Sequence, residues 1–160
     1  MSDKIKLGGL IERSHLCMLD IRGVPDTPGK AAELFKVFSD EGISVEFISH
    51  SMSGNGLSSV TICLSADFCP MVDHLVELLN DNVHPVEIVR FPKIELITIY
   101  GPHFVDKPAV ATQLCVELGE DGVNILGIST SINSVTIVVD VEDIKTVKNA
   151  INRKFEMPTY

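Results

Sequence analysis

Basic residues are scarce. Thirteen lysines and arginines stand against twenty-two aspartates and glutamates, for a net charge of −9. No face is expected to neutralise many phosphates, so nucleic acid is not an expected partner. Long apolar runs are missing too. No stretch of about 18 apolar residues occurs, so no membrane span is expected. The start, "MSDKIKLGGL", has no long apolar segment ahead of a cleavage site, so no secretory signal is expected. No two of the four cysteines, Cys17, Cys63, Cys69 and Cys115, form a C-x-x-C pair, and three lie in apolar runs. Cysteine there acts as a small hydrophobe, and reduced thiols in a cytoplasmic protein are the expectation. The five histidines, His15, His50, His74, His84 and His103, show no ligand spacing, so neither a metal site nor a cofactor is expected. The phosphate-cradling patterns G-x-x-x-x-G-K-[ST] and G-x-G-x-x-G are both absent, and the one glycine pair, Gly8-Gly9, lies in or near a strand.

What is present is a normal globular composition, 45% hydrophobic and 22% charged. It suits one ordinary domain or two small ones. An internal repeat decides between them. "GVPDTPGKAAELF", from Gly23, has a twin in "GPHFVDKPAVATQL", from Gly101. Asp26-Thr27-Pro28 aligns with Asp106-Lys107-Pro108, Gly42 with Gly122, and Ile48-Ser49 with Ile128-Ser129, at an offset of 80. The offset then falls to 75, where "SVTI" at Ser59 recurs at Ser134.

Each copy reads the same way. A strand rich in β-branched residues ("HLCMLDIRG"; "IELITIYG") enters a turn. Pro28 or Pro108 suits the first helical position, and Thr27 could cap the first helix. The helices carry Ala31, Leu34, Phe35 and Phe38, and Val110, Ala111, Leu114, Cys115 and Leu118, at helical spacing. Gly42 and Gly122 can end them in the left-handed conformation. A hairpin follows, with Asn55-Gly56 as its turn in the first copy. A second helix comes next, and the first copy closes with "VEIVRF". The fold expected is α+β: two ferredoxin-like βαββαβ units, residues 13–91 and 92–160, with antiparallel sheets and helices on one face. The second copy lacks its last strand, and the first has one too many. The N-terminal strand 4–12 is therefore expected to complete the second unit and cover its open edge.

"GVPDTPGKAAELFKVFSDEGISVEFIS" resembles the first ACT domain of the aspartate kinase regulatory region. "GVNILGISTSINSVTIVV" resembles the second, where a G-[IV]-N-I-x-x-I-S-T-S run is typical. The resemblance covers nearly the whole chain. It implies a tandem ACT protein that binds an amino acid and passes that signal to a catalytic domain. The family's kinase domain opens with a lysine-, phenylalanine- and glycine-rich phosphate motif, which these residues lack. The expectation is a regulatory protein with no catalytic residues of its own. It could be a regulatory subunit or fragment of an aspartate kinase under lysine or threonine control, or an assembly module that binds nothing. An amino-acid biosynthetic enzyme and a second copy of the chain, paired through ACT sheets, are the protein partners implied.

An amino acid brings a carboxylate and an ammonium. A helix N-terminus offers N–H donors to the first, here at Gly29, Lys30 and Ala31, and Gly29 lets a ligand approach the backbone. Asp26 and Glu46 are candidate acceptors for the second. In the family the ligand sits between the turn before the first helix and the start of the following strand. That resemblance implies Val24, Asp26, Thr27, Gly29, Lys30, Ser44, Val45 and Glu46, with Asn124 and Ile125 from the second unit. His50 and Ser51 stand where the family often has glutamine and asparagine; His50 can still bond a ligand and adds pH sensitivity. Pro108-Ala109 replaces the proline-glycine of the second turn, which suits a structural role there. Pro-Gly between a strand and a helix is also an ordinary connector, Glu46 could be a solvated strand residue, and Asn124 could serve only to satisfy backbone groups at a strand start.

Overall fold

A computed structural model describes residues 4–102, 104 and 110–158. The second turn, Asp106 to Ala109, lies outside the described residues. The chain divides into two compact units. One runs from His15 to Lys93; the other joins the N-terminal segment through Ser14 to the chain from Ile94 onward.

Two long strands, β2 at Gly9–Pro25 and β5 at Glu87–Tyr100, contribute residues to both units; in the unit from His15 to Lys93 the order is β3-β4-β2-β5, with β3 at Val45–Gly54 and β4 at Leu57–Leu64. β4 is antiparallel to both β2 and β3. Helices α1 (Lys30–Asp40) and α2 (Val72–Asn82) cover one face, and a 3-10 turn at Ala66–Met71 leads into α2. The sequence explains the layering. Even-numbered β4 residues Val60, Ile62 and Leu64 share a face by the strand period and are all buried. Leu34, Val37 and Phe38 of α1, and Leu75 and Leu79 of α2, meet that face at helical spacing. Ala31, expected with them, is exposed instead. The hairpin turns on Asn55 and Gly56, both with positive φ (55° and 71°), as a two-residue type I′ turn requires.

The second unit repeats this plan in the order β2-β5-β7-β6, with β6 at Gly127–Thr130 and β7 at Ser134–Asp140. Its helices are α3 (Val110–Glu120) and α4 (Ile144–Lys154). The core holds Ile97, Ile99, Leu114, Leu118, Ile137 and Val147. Short β1 (Ile5–Lys6) pairs in parallel with β8 (Phe155–Glu156), and Leu7 donates to the Glu156 carbonyl at 2.9 Å. The expected strand 4–12 is thus broken at Leu7–Gly8 and resumes at Gly9. Both helix-one copies stop alike: Ile43 N–H donates to the Phe38 carbonyl, and Val123 N–H to that of Leu118, each at 2.9 Å.

The expectation for the cysteines also fails. Cys17 and Cys69 are not separate thiols but a disulfide, with Cα atoms 5.8 Å apart. Cys17 faces the helices from β2, and the turn before α2 carries Cys69 over it; neighbouring apolar runs concealed this pairing. Cys63 and Cys115 are free.

Candidate functional site

The turn between β2 and α1 is built by its own residues. Pro28 sits at the second position of a β-turn whose third position is Gly29, at φ 91° and ψ −18°. The Thr27 carbonyl accepts from Lys30 N–H at 3.1 Å and closes it. This is type II geometry, which takes proline and then glycine. Two expectations change here. Gly29, not Thr27, is the N-cap, and no side chain caps the helix. A Cβ on Gly29 would meet nothing within 4 Å, so the glycine answers to backbone conformation and not to crowding. The Lys30 N–H is already used, which leaves Ala31 and Ala32 as first-turn donors without helical partners.

Beside this turn lies a cavity of about 370 Å³, lined by residues 24–31 with Leu34, His50, Ser58 and Val60. That is the lower end of the usual range for small-ligand sites. Its floor is apolar: Val24, Leu34 and Val60 are buried. Polar groups stand around it. Ser58, only 2% exposed, donates its hydroxyl to the Val24 carbonyl at 3.4 Å. The Lys30 ammonium is held 2.5 Å from Glu33 and is largely covered. Asp26 is exposed at the opposite end of the turn, its N–H fixed on the Gly56 carbonyl at 2.8 Å. His50 enters from β3, opposite Val60. A helix N-terminus and a lysine on one side, with a carboxylate on the other, can hold a molecule carrying both charges.

Two further cavities lie in the same unit. One of about 320 Å³, between α1 and α2, is rimmed by Glu33, Asp40 and Glu41. The other, of about 230 Å³, opens beside Cys17 and Cys69. The first also carries Lys36 and the second Arg90 with Asp73, so both signs of charge occur there too. Among the described residues no three His, Cys, Asp or Glu side chains are grouped to hold a metal ion.

The structure gathers Val24, Asp26, Thr27, Gly29, Lys30, Ala31 and His50 around one cavity. It does not bring Ser44, Val45 and Glu46 there. Val45 pairs with Leu64, whereas the cavity meets β4 at Ser58 and Val60. At about 3.3 Å per residue, the four to six residues from Leu64 to Val60 and Ser58 span roughly 13–20 Å along the strand. Glu46 lies in the irregular step of β3 between Val45 and Phe47. Burial, and then the charge of Glu46, push the Cys63 thiol up to about 12. Asn124 and Ile125 belong to the other unit; Ile125 packs on that unit's own core and Asn124 is exposed. Pro25, Pro28, Leu34, Ser58 and Val60 were not foreseen as lining residues. Ser58 had a signal: it is the polar residue on the face of β4 that otherwise reads Val60, Ile62, Leu64.

The ACT domain family matches residues 97–155. That match lies within the second unit, and the first unit repeats the same order of elements. The chain's relatives are aspartate kinases. The Pseudomonas fluorescens aspartate kinase is 27% identical over 94% of this chain and 37% of its own length. The Thermus thermophilus aspartokinase is 25% identical over 97% of this chain and 38% of its own. The chain thus spans little more than a third of the curated relatives it matches. The fold is that of the aspartate kinase regulatory subunit solved from Thermus thermophilus, with a TM-score of 0.82 at 23% identity, covering 94% of this chain and 99% of that one.

Proposed function

We propose that this chain is an amino-acid-binding regulatory module, and that the Val24–Ala31 turn with Leu34, His50, Ser58 and Val60 is its ligand site. The carrying observation is the disposition of charge around one small apolar cavity. First-turn N–H groups and Lys30 suit a carboxylate, Asp26 suits an ammonium, and the apolar floor accepts a side chain. The N-terminal strand completes the second ACT unit in this reading, and the chain works in the cytoplasm.

The active form is a homodimer. β3 is the terminal strand of its unit's order and carries Ile48 42% exposed. Antiparallel two-fold pairing of β3 with its copy would cover that edge. It would also bring the partner's Val45 and the partner's Glu46 toward the His50 end, where a single chain lacks them. A thermal-shift screen of the common amino acids at millimolar concentration tests the ligand reading. At least one should raise Tm, as a ligand preferring the folded state must; no shift with any of them would end it.

A second reading has one observation in its favour. The fold match covers 99% of a chain that is itself a regulatory subunit. This chain would then act on a separate catalytic chain, and feedback by lysine or threonine would follow. Co-purification of a kinase chain from the native source supports that reading, and its absence from a cross-linked preparation opposes it.

A further inference from the structure

We propose that Cys17 and Cys69 form a reversible thiol–disulfide switch that fastens the arm leading into α2 to the central strand of the unit bearing the cavity. The bond closes a span of 52 residues. Its Cα separation of 5.8 Å falls in the ordinary range for disulfides, so the backbone already holds the two residues in bonding position. The two ends differ in access. Cys17 is 3% exposed, whereas Cys69 is half-buried. A cavity of about 230 Å³, lined by both cysteines with Met18, Arg90 and Phe91, leads to the sulfurs.

Both redox forms fit the fold. In the bonded form Cys69 Sγ already lies 3.4 Å from the Ser65 carbonyl, within reach of a bond that the reduced thiol would donate. Cys17 becomes a small apolar member of the core cluster around Leu19 and Leu64. The repeat supplies an internal control. Cys17 stands six residues before Gly23, as Glu95 stands before Gly101. The paired registers agree: Cys17 opposes Leu64, and Glu95 opposes Val139. Cys69 follows its turn's cap, Ser65, by four residues, as Ile144 follows Asp140. The other unit folds with Glu95 and Ile144 at these places, so the architecture does not require the bond. A cross-link that the fold can do without, reachable from one side, has the features of a sensor and not of a permanent staple.

The chemistry balances with a dithiol as reductant. Its thiolate attacks Cys69 Sγ, and the S–S electron pair leaves on Cys17 Sγ, which takes a proton. The second thiol then displaces Cys69 from the mixed disulfide. The protein gains two electrons and two protons, and the dithiol becomes its own disulfide. Oxidised dithiol reverses both steps.

The test is a titration of the full chain across ratios of reduced to oxidised dithiothreitol, followed by unfolding, alkylation and mass measurement. Two alkylated thiols are expected at the oxidised end, from Cys63 and Cys115, and four at the reduced end, with return to two on reoxidation. Opening the loop should lower Tm by roughly 10 °C. Cys69→Ala should melt where the reduced protein does and ignore the reductant. Four thiols at every ratio, a bond that no ratio opens in the folded chain, or equal Tm values at the two ends would overturn the proposal. The wild-type titration alone decides if the variant does not fold.

Discussion

Replacing Gly29 with alanine separates a conformational glycine from a merely small one. At φ 91° the residue occupies the left-handed side of the map. A Cβ there costs about 1–2 kcal/mol. No steric cost is added, because nothing lies within 4 Å of the new carbon. Alanine also narrows the unfolded ensemble, which offsets about 0.4–1 kcal/mol. The net loss is then about 1 kcal/mol, or roughly 2–4 °C of Tm in a chain of this length. Gly42→Ala is the control. Its φ of 71° and empty surroundings predict the same loss, at the far end of α1 from the turn. The two variants should differ only in ligand affinity, which Gly29→Ala should weaken at least tenfold and Gly42→Ala should leave alone. Urea unfolding followed by circular dichroism, with calorimetry for the ligand, checks both parts. An unchanged Gly29→Ala stability, a loss above about 4 kcal/mol, or equal ligand affinity in the two variants would refute the reasoning.

Other outcomes follow from the same geometry. Leu34→Ala removes a side chain with no exposure beneath the cavity and should cost about 2–5 kcal/mol, read from the denaturant midpoint. Lys30→Met and Asp26→Asn should each weaken the ligand by roughly tenfold, the scale of one hydrogen bond to a charged group, with Tm of the free protein nearly unmoved. Cys63 gives a pH dependence. Its thiol is raised to about 12 in the folded chain from an ordinary value of 9.0. The folded state therefore keeps a proton that the unfolded state releases. The contribution is full below pH 9 and declines by about 1.4 kcal/mol per pH unit until pH 12. A Cys63→Ala variant should lack that component of the alkaline loss when the two unfolding curves are compared.

Much of the fold was legible because each element carried its own period. Leu34 and Phe38, or Val60, Ile62 and Leu64, mark their buried faces without reference to the rest of the chain. The repeat strengthened these readings, since Gly42 and Gly122 end equivalent helices in the same way. The turn itself was legible as Pro-Gly, but its registration was not. Thr27 looked like a cap until the type II turn used its carbonyl and placed Gly29 at the helix start. Residues that depend on the third dimension were the ones missed. Val45 and Glu46 are near the turn in the family pattern, but about half the length of β3 separates them from His50, where the cavity meets that strand. Ser58 and Val60 line the cavity only because β4 lies between β2 and β3. The Cys17–Cys69 bond joins residues 52 apart, a pairing that no local spacing reports.

The most direct test of the central claim is a calorimetric titration of the 160-residue chain with each common amino acid, repeated on Asp26→Asn and Gly29→Ala. Saturable binding of at least one amino acid at millimolar concentration or below, weakened in both variants, is the predicted result. No heat from any amino acid, or binding that both variants retain unchanged, would contradict it.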